Sequence, residues 1–149
     1  MERKVLSGLF AAAALLSACN CTCGVKDSSV TPGSSADFEA NVPNVVYFDF
    51  DKSKLSEAAK KRVEAQVAWL KTYSGTKATV EGYTDVRGTA EYNIALGQAR
   101  ANEVANSLKA SGIESDRLTT VSYGKERLVD TGTTELAHAK NRRAVTVVG

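Results

Sequence analysis

The sequence predicts an α+β fold, a two-layer α/β sandwich in which helices pack on one mixed sheet. Runs rich in β-branched and aromatic residues alternate with two long segments whose apolar residues recur at helical spacing. The resulting order is strand–helix–strand–helix–strand–strand, and helices that join strands by crossovers favour a single sheet. With 43% hydrophobic and 24% charged residues among 149, the chain has the composition of one ordinary globular domain.

The first predicted strand covers residues 45–50, where the sequence is VVYFDF. After a polar turn at residues 51–54, the first long helix begins with Ser56 as its predicted N-cap and ends at Ser74-Gly75. Its apolar face is formed by Leu55, Ala59, Val63, Val67 and Leu70. Charged residues lie on the opposite face, which predicts that this helix covers the sheet with its apolar side only.

The second predicted strand, Lys77–Tyr83, leads through a polar turn at residues 84–88 into the longest helix, which ends at Ser111-Gly112. The predicted core-facing stripe of that helix consists of Ile94, Gly97, Ala101, Val104, Ala105 and Leu108. An adjoining strip at the edge of the stripe consists of Asn93, Leu96 and Arg100. The remaining elements are a strand at Leu118–Tyr123, a polar loop at residues 124–140 with a short helix around Thr134–Ala139, and a last strand at Arg143–Val148.

The turn between the second strand and the longest helix is the candidate site. Asp85 lies at the carboxyl end of the strand, at a kind of turn that commonly holds ligands. Arg100 lies on the strip beside the core-facing stripe, so we expect one carboxylate and one guanidinium near a single rim. A purely structural interpretation is also open, because Asp in a turn usually bonds its own backbone and Arg on a helix flank is usually solvated or ion-paired. Spacing alone favours that structural interpretation.

Several separated blocks of the sequence resemble the OmpA-like peptidoglycan-binding domain. The longest is TDVRGTAEYNIALGQARANEVANSLKASGI at residues 84–113, which has T-D, G, Y-N, L and R-A at matching spacing. Later blocks, VSYGKE at residues 121–126 and KNRRAV at residues 140–145, match as well. The resemblance extends from about residue 43 to the C-terminus, and its flanking details are most similar to the peptidoglycan-associated lipoproteins (Pal).

The resemblance implies a ligand of the diaminopimelate type, an amino acid of the peptidoglycan stem peptide that carries both an ammonium and a carboxylate group. Asp85 would accept hydrogen bonds from the ammonium group, and Arg100 would hold the carboxylate through its planar fork. The family positions that match Phe50, Asp51, Asn93 and Leu96 would complete the pocket wall. Asn141 and Arg142, in the later block, would support the site.

The N-terminal part of the chain differs from the rest. Residues 1–18 have the charged start, short apolar middle and small-residue end of a secretory signal peptide. The sequence LSAC at residues 16–19 resembles a bacterial lipobox, which would make Cys19 the lipidated mature N-terminus. The alternative is an ordinary signal peptide with an incidental cysteine. Residues 19–42 are then predicted to be a lipidated N-terminus and flexible tether, and residues 43–149 the domain. Cys21 and Cys23 are assigned no role.

The residue inventory of the predicted domain disfavours catalysis. His138 is the only histidine and no cysteine follows Cys23, which excludes a Cys–His dyad and most His-rich metal sites there. We therefore expect no catalytic residue, no cofactor and no metal. The formal net charge of +2 is too small to imply a nucleic-acid partner.

The resemblance implies an outer-membrane lipoprotein on the periplasmic face that tethers the membrane to the cell wall. Such a protein would act in a Tol–Pal-type system and support envelope integrity and cell division. Its expected partners are peptidoglycan, TolB with the Tol assembly, and the outer membrane through the lipid. Asn20 is not the Asp that is associated with inner-membrane retention in enteric bacteria. Two other functions stay open: an envelope protein-interaction module with secondary cell-wall contact, and a periplasmic hydrolase.

Overall fold

The structure, a computed structural model, describes residues 30–149. Its elements in chain order are α1 (Ser35–Asn41), β1 (Val45–Tyr47), α2 (Glu57–Thr72), β2 (Ala78–Tyr83), α3 (Ala90–Ala110), a 3-10 turn (Ser115–Arg117), β3 (Leu118–Gly124), α4 (Glu135–Asn141) and β4 (Arg143–Val148). The predicted α+β architecture is confirmed, and Ser56 caps α2 by accepting a hydrogen bond from the backbone N–H of Ala59.

The four strands form one mixed sheet in the order β1-β4-β2-β3. The β2 and β3 strands are parallel because α3 crosses between them, whereas β4 is antiparallel to both β1 and β2. The last strand therefore lies between the first two. This topology brings the carboxyl ends of β1, β2 and β3 to the same end of the sheet, together with the start of β4.

The hydrophobic core lies between the sheet and the two long helices, α2 and α3. Val63 and Leu70 of α2 and Val104 and Leu108 of α3 are buried against strand residues such as Val80. Each fully buried side chain of this kind contributes roughly 1.5–3 kcal/mol through removal of apolar surface from water. The core therefore fixes the position of α3 relative to β2, and with it the turn that joins them.

The α3 helix approaches β2 closely at two glycines, Gly82 and Gly97. A Cβ atom added to Gly82 would lie 1.8 Å from the carbonyl oxygen of Gly97, so no side chain fits there. Gly97 thus occupies the core-facing stripe as predicted. The close approach also brings the next turn of α3, which carries Arg100, against the end of β2.

Two features of the structure differ from the prediction. The α1 helix lies inside the segment predicted to be a flexible tether, and the Phe38 side chain is 0% exposed within the core, in edge contact with Trp69. Burial of Phe38 and the hydrogen bond from the Trp69 indole N–H to Asp37 Oδ2, at 3.0 Å, dock α1 on the domain, so the folded unit begins before residue 43. Ile94 is 43% exposed, although it was placed on the core-facing stripe. Asn93 takes the inward position at that turn and donates to the carbonyls of Arg87 and Thr89.

Several N-terminal predictions fall outside the described residues. They are the signal peptide at residues 1–18, the lipidation of Cys19, and the part of the tether before residue 30. Within residues 30–149, no helix is long and apolar enough to cross a membrane. The same part of the chain has no group of three or more His, Cys, Asp or Glu side chains that could hold a metal ion.

Candidate functional site

A cavity of about 230 Å³ opens at the end of the sheet where β2 ends and α3 begins. Its walls come from three parts of the chain: the β1–α2 turn, the β2–α3 turn and the first three turns of α3. The lining residues are Phe50, Asp51, Asp85, Arg87, Gly88, Tyr92, Asn93, Leu96 and Arg100. All six residues predicted for the binding site are in this set.

The β2–α3 turn is held in shape by local hydrogen bonds. Thr89 caps α3 by accepting from the backbone N–H of Tyr92. Gly88 has a φ of 93°, in the left-handed region that glycine adopts without steric cost. The buried Asn93 side chain donates to the backbone carbonyl of Arg87, 2.8 Å away. These bonds fix the backbone on which Asp85 is placed.

Asp85 is buried and lies between two arginines. The Arg87 Nη2 atom is 2.6 Å from Asp85 Oδ2, and the Arg87 backbone N–H donates to Oδ1 at 3.1 Å. On the other side, Arg142 Nη1 lies 3.5 Å from the same Oδ2. Burial raises the pKa of the Asp85 carboxyl, but the hydrogen bonds and charge of Arg87, with a smaller contribution from the nearby Arg142 guanidinium, outweigh burial and lower the pKa below its ordinary value. Asp85 is therefore an anion at neutral pH.

Arg100 is fully buried, with 0% of its surface exposed. Its guanidinium donates to three backbone carbonyls, those of Lys52 at 2.9 Å, Tyr83 at 2.9 Å and Asp49 at 3.2 Å. Burial lowers the pKa of Arg100 to about 10, although the negative charges of Asp85 and Asp51 oppose that shift. Arg100 thus remains a cation at neutral pH, and it joins the β1–α2 turn to the end of β2.

The mouth of the cavity is partly apolar. Phe50 is 57% exposed, and the Arg87 guanidinium carbon lies 4.2 Å from the centre of its ring. Asp51 has a φ of 54°, a left-handed conformation that Asp tolerates better than most residues. The Tyr92 hydroxyl donates to the Asp51 carboxylate. Together these contacts hold the β1–α2 turn over the start of α3.

The two residues expected to support the site do not line the cavity. Asn141 is buried and accepts from the backbone N–H groups of Val129 and Asp130, so it holds the loop before α4. Arg142 lies behind Asp85, where its Nε donates to the Phe48 carbonyl at 3.1 Å and its Nη2 contacts Glu135 at 2.8 Å. Asn141 thus shapes a loop, and Arg142 acts on the cavity through Asp85.

Comparison with known proteins identifies the family. Residues 47–142 match the OmpA family. The chain is 42% identical over 125 residues to the peptidoglycan-associated lipoprotein of Brucella melitensis biotype 1, which spans 84% of this chain and 74% of that protein. It is 41% identical over 147 residues to the peptidoglycan-associated lipoprotein of Haemophilus influenzae, which spans 97% of this chain and 95% of that protein. The chain belongs to the OmpA family, among the peptidoglycan-associated lipoproteins.

The fold supports the same membership. The crystal structure of the peptidoglycan-associated lipoprotein from Burkholderia pseudomallei superposes with a TM-score of 0.69 at 38% identity, over 71% of this chain and 90% of that chain. The resemblance carried by residues 84–113 and by the two later blocks is therefore confirmed at the level of family and fold.

Three lining residues are not among the predicted site residues: Arg87, Gly88 and Tyr92. The prediction also left out Glu135, which does not line the cavity. Its carboxylate, in the first turn of α4, lies near both Arg142 and Arg87. Arg87 and Gly88 follow Asp85 within the same predicted turn at residues 84–88, so proximity in sequence was the available signal. Nothing in the sequence brings Glu135 to this turn, because about 50 residues separate it from Asp85 and only the sheet topology joins them.

Proposed function

We propose that this cavity binds the diaminopimelate residue of the peptidoglycan stem peptide. The main support for the proposal is that all six predicted site residues line the same cavity. These residues are Phe50, Asp51, Asp85, Asn93, Leu96 and Arg100. The four charged residues of the wall balance one another, since Asp51 and Asp85 are acidic and Arg87 and Arg100 are basic. A zwitterionic ligand keeps that balance, whereas a simple cation or anion disturbs it.

Arg100 is suited to hold a ligand carboxylate. A guanidinium has five N–H groups, and the three backbone carbonyls accept one each from Nε, Nη1 and Nη2. One N–H therefore stays available on each of the two terminal nitrogens, which matches the two oxygens of one carboxylate. In our proposal Asp85 accepts from the ligand ammonium group, Phe50 and Leu96 contact its aliphatic chain, and Asn93 and Asp51 complete the wall.

Titration calorimetry with two stem peptides tests this assignment. The two peptides differ only in one residue, which is diaminopimelate in the first and lysine in the second, so they differ by a single carboxylate. We expect the wild-type protein to bind the first peptide and to bind the second at least about tenfold more weakly, since a lost charged hydrogen-bond pair costs about 1.5–3 kcal/mol. Equal affinities would contradict the role of Arg100.

We propose further that Cys19 is lipid-modified and anchors the protein in the outer membrane, on its periplasmic face. Several acyl chains, palmitate among them, would hold the protein firmly, whereas one chain alone gives only marginal binding. The support is the sequence LSAC at residues 16–19 and membership in a family of lipoproteins. Cys19→Ala protein whose signal is still processed should leave the membrane fraction; its full retention there would exclude this anchor.

The proposed cellular role is a non-covalent tether between outer membrane and cell wall within a Tol–Pal-type system, in support of envelope integrity and cell division.

A second candidate function is an interaction module whose main partner is TolB. The exposed apolar residues around the cavity mouth favour it, since Phe50, Val86 and Tyr92 are 57%, 38% and 49% exposed. Because a partner seated there would cover the cavity, we expect TolB and stem peptide to compete. TolB affinity that is unchanged by saturating stem peptide would indicate separate surfaces.

We propose a binding protein and not an enzyme. His138, the only histidine of the chain, is buried in α4 and does not line the cavity. The carboxylate of Asp85 is held as an anion between two arginines, which does not suit a general acid. Incubation of purified sacculi with the protein should release no muropeptides, and release that depends on Asp85 would overturn this conclusion.

A further inference from the structure

We propose that Arg87 occupies the ammonium position on Asp85 in the unliganded protein, and that Glu135 receives the Arg87 guanidinium when a ligand displaces it. This inference rests on the proposed function, because it assumes a ligand with an ammonium group at Asp85. It adds an internal competitor to the site and names the residue that regulates its affinity.

Arg87 lies where, in the proposed complex, the ligand ammonium group pairs with Asp85. Its Nη2 and Nε atoms lie 2.6 Å and 3.2 Å from Asp85 Oδ2, and its guanidinium carbon lies 4.2 Å from the centre of the Phe50 ring. The guanidinium therefore has a carboxylate on one side and an aromatic face on the other, which are the two features that attract an ammonium group. Arg87 therefore occupies Asp85 Oδ2, and a ligand cation that pairs with this oxygen from the cavity must displace it.

The two arginines that contact Asp85 differ in how firmly their side chains are held in place. The Arg142 side chain is 7% exposed, and its Nε donates to the backbone carbonyl of Phe48. The Arg87 side chain is 39% exposed and rests on the exposed ring of Phe50. Arg142 is thus a fixed part of the structure behind Asp85, whereas Arg87 can rotate outward into solvent without breaking a bond to the protein backbone.

Glu135 provides the alternative partner. Its Oε1 atom is 2.8 Å from Arg142 Nη2, and its Oε2 atom is 3.6 Å from Arg87 Nη2. The second distance is longer than a hydrogen bond, and Glu135 is 65% exposed, so a small rotation can close it. Displacement would then exchange one ion pair of Arg87 for another, and the ligand ammonium would restore the pairing of Asp85.

The energetic consequence is a reduced apparent affinity. When the binding-competent state is only a fraction of the molecules, the apparent Kd rises by the inverse of that fraction. If the displaced state has a population of about 10%, removal of the Arg87 side chain should strengthen binding about tenfold. The backbone N–H of residue 87 still donates to Asp85 Oδ1 after truncation, so the turn keeps that bond.

The experiment is calorimetric titration of a diaminopimelate-containing stem peptide into wild-type protein, Arg87→Ala and Arg127→Ala. The Arg127→Ala variant is the matched control, since Arg127 is an exposed arginine that stacks on Tyr123 at 3.7 Å and does not line the cavity. We expect about tenfold tighter binding for Arg87→Ala and a change within about twofold for Arg127→Ala. Thermal melts verify that each variant is folded.

Glu135→Gln completes the test in two backgrounds. It should weaken binding in the wild-type background, where Arg87 loses its alternative partner, and weaken it less in the Arg87→Ala background, where only the contact with Arg142 is lost. Weaker or unchanged binding of Arg87→Ala would overturn the displacement, because Arg87 would then be a ligand contact or a bystander. If wild-type protein itself does not bind the peptide, the proposed function fails as well, and the two failures are thus distinguishable.

Discussion

Two arginines at opposite ends of the sheet each donate to three backbone carbonyls, in different surroundings. Arg117 donates to the carbonyls of Leu70, Tyr73 and Thr76, at 2.9, 3.0 and 2.9 Å, around the C-terminus of α2. Arg100 also donates to three carbonyls, yet it lines a cavity and lies near the negative charges of Asp85 and Asp51.

The two arginines differ in where their remaining N–H groups lie and in what surrounds the guanidinium charge. Arg117 is half-buried, pairs its positive charge with the negative end of a helix and does not line the cavity; its two remaining N–H groups are both on Nη1. Arg100 is fully buried, keeps one N–H on each terminal nitrogen and, within residues 30–149, has no carboxylate within ion-pair distance. An arginine bonded to three backbone carbonyls therefore closes a helix end at one site and leaves a cation facing a cavity at the other.

The largest effect is expected for Arg100→Ala. Three carbonyl oxygens lose a charged donor and the removed side chain leaves a void, so the free energy of unfolding should fall by about 3–5 kcal/mol. Binding of the stem peptide should be lost in the fraction that stays folded. Urea unfolding and titration calorimetry measure the two effects. Arg100→Lys is the companion variant, and retention of wild-type affinity by it would show that the planar fork is not needed.

Asp85→Asn should affect binding more than folding. The substitution keeps the size of the side chain and removes its charge, so a ligand ammonium loses its partner at a cost of about 2–5 kcal/mol, or roughly two to three decades in Kd. Arg142 retains Glu135 as a partner, which limits the loss of stability. Calorimetry with the stem peptide checks this, and wild-type affinity would remove Asp85 from the site.

Arg117→Ala should give the opposite pattern. It should lower the free energy of unfolding by about 1.5–3 kcal/mol, because the last carbonyls of α2 lose their charged donor. Peptide affinity should not change, since Arg117 lies away from the cavity. A variant that lost both stability and binding would show that the two ends of the sheet are coupled, and the contrast with Arg100 would fail.

The smallest effect concerns pH. Since the pKa of Asp85 is lowered in the folded protein, its carboxylate stabilises the fold above the unfolded value of 3.8, and that stabilisation is lost as pH falls through the folded pKa. The difference in unfolding free energy between wild type and Asp85→Asn should therefore be largest at neutral pH and shrink toward pH ~2.5. Urea melts of both proteins at the two pH values measure it, and a difference that stays constant would contradict the lowered pKa.

Most of the fold could be predicted because its elements have strong local signals. Helical periodicity placed α2 and α3, and β-branched runs placed the strands to within a few residues, with β1 shorter than predicted at Val45–Tyr47. The α1 helix was missed because one buried aromatic side chain, Phe38, holds it, and seven residues are too few to show a helical period.

The resemblance predicted which residues line the site, but not the ion pairs and the burial that hold them there. All six expected lining residues meet at the cavity. The partners of Asp85 depend on tertiary structure, because Arg142 reaches it only through the antiparallel insertion of β4 between β1 and β2. The burial of Arg100 likewise depends on the close approach of Gly97 to Gly82, which no pattern on a single helix reveals.

The docking of α1 has a consequence for the spacing of the cell envelope. If Cys19 holds the membrane, the connecting chain ends at Ser34, the cap of α1, and not at residue 43. About 15 residues span at most about 50 Å when fully extended, whereas about 24 residues would span roughly 80 Å. Phe38 therefore sets an upper limit on the gap between the membrane surface and the folded domain. A Phe38→Ala variant that releases α1 would lengthen that gap without a change in the number of residues.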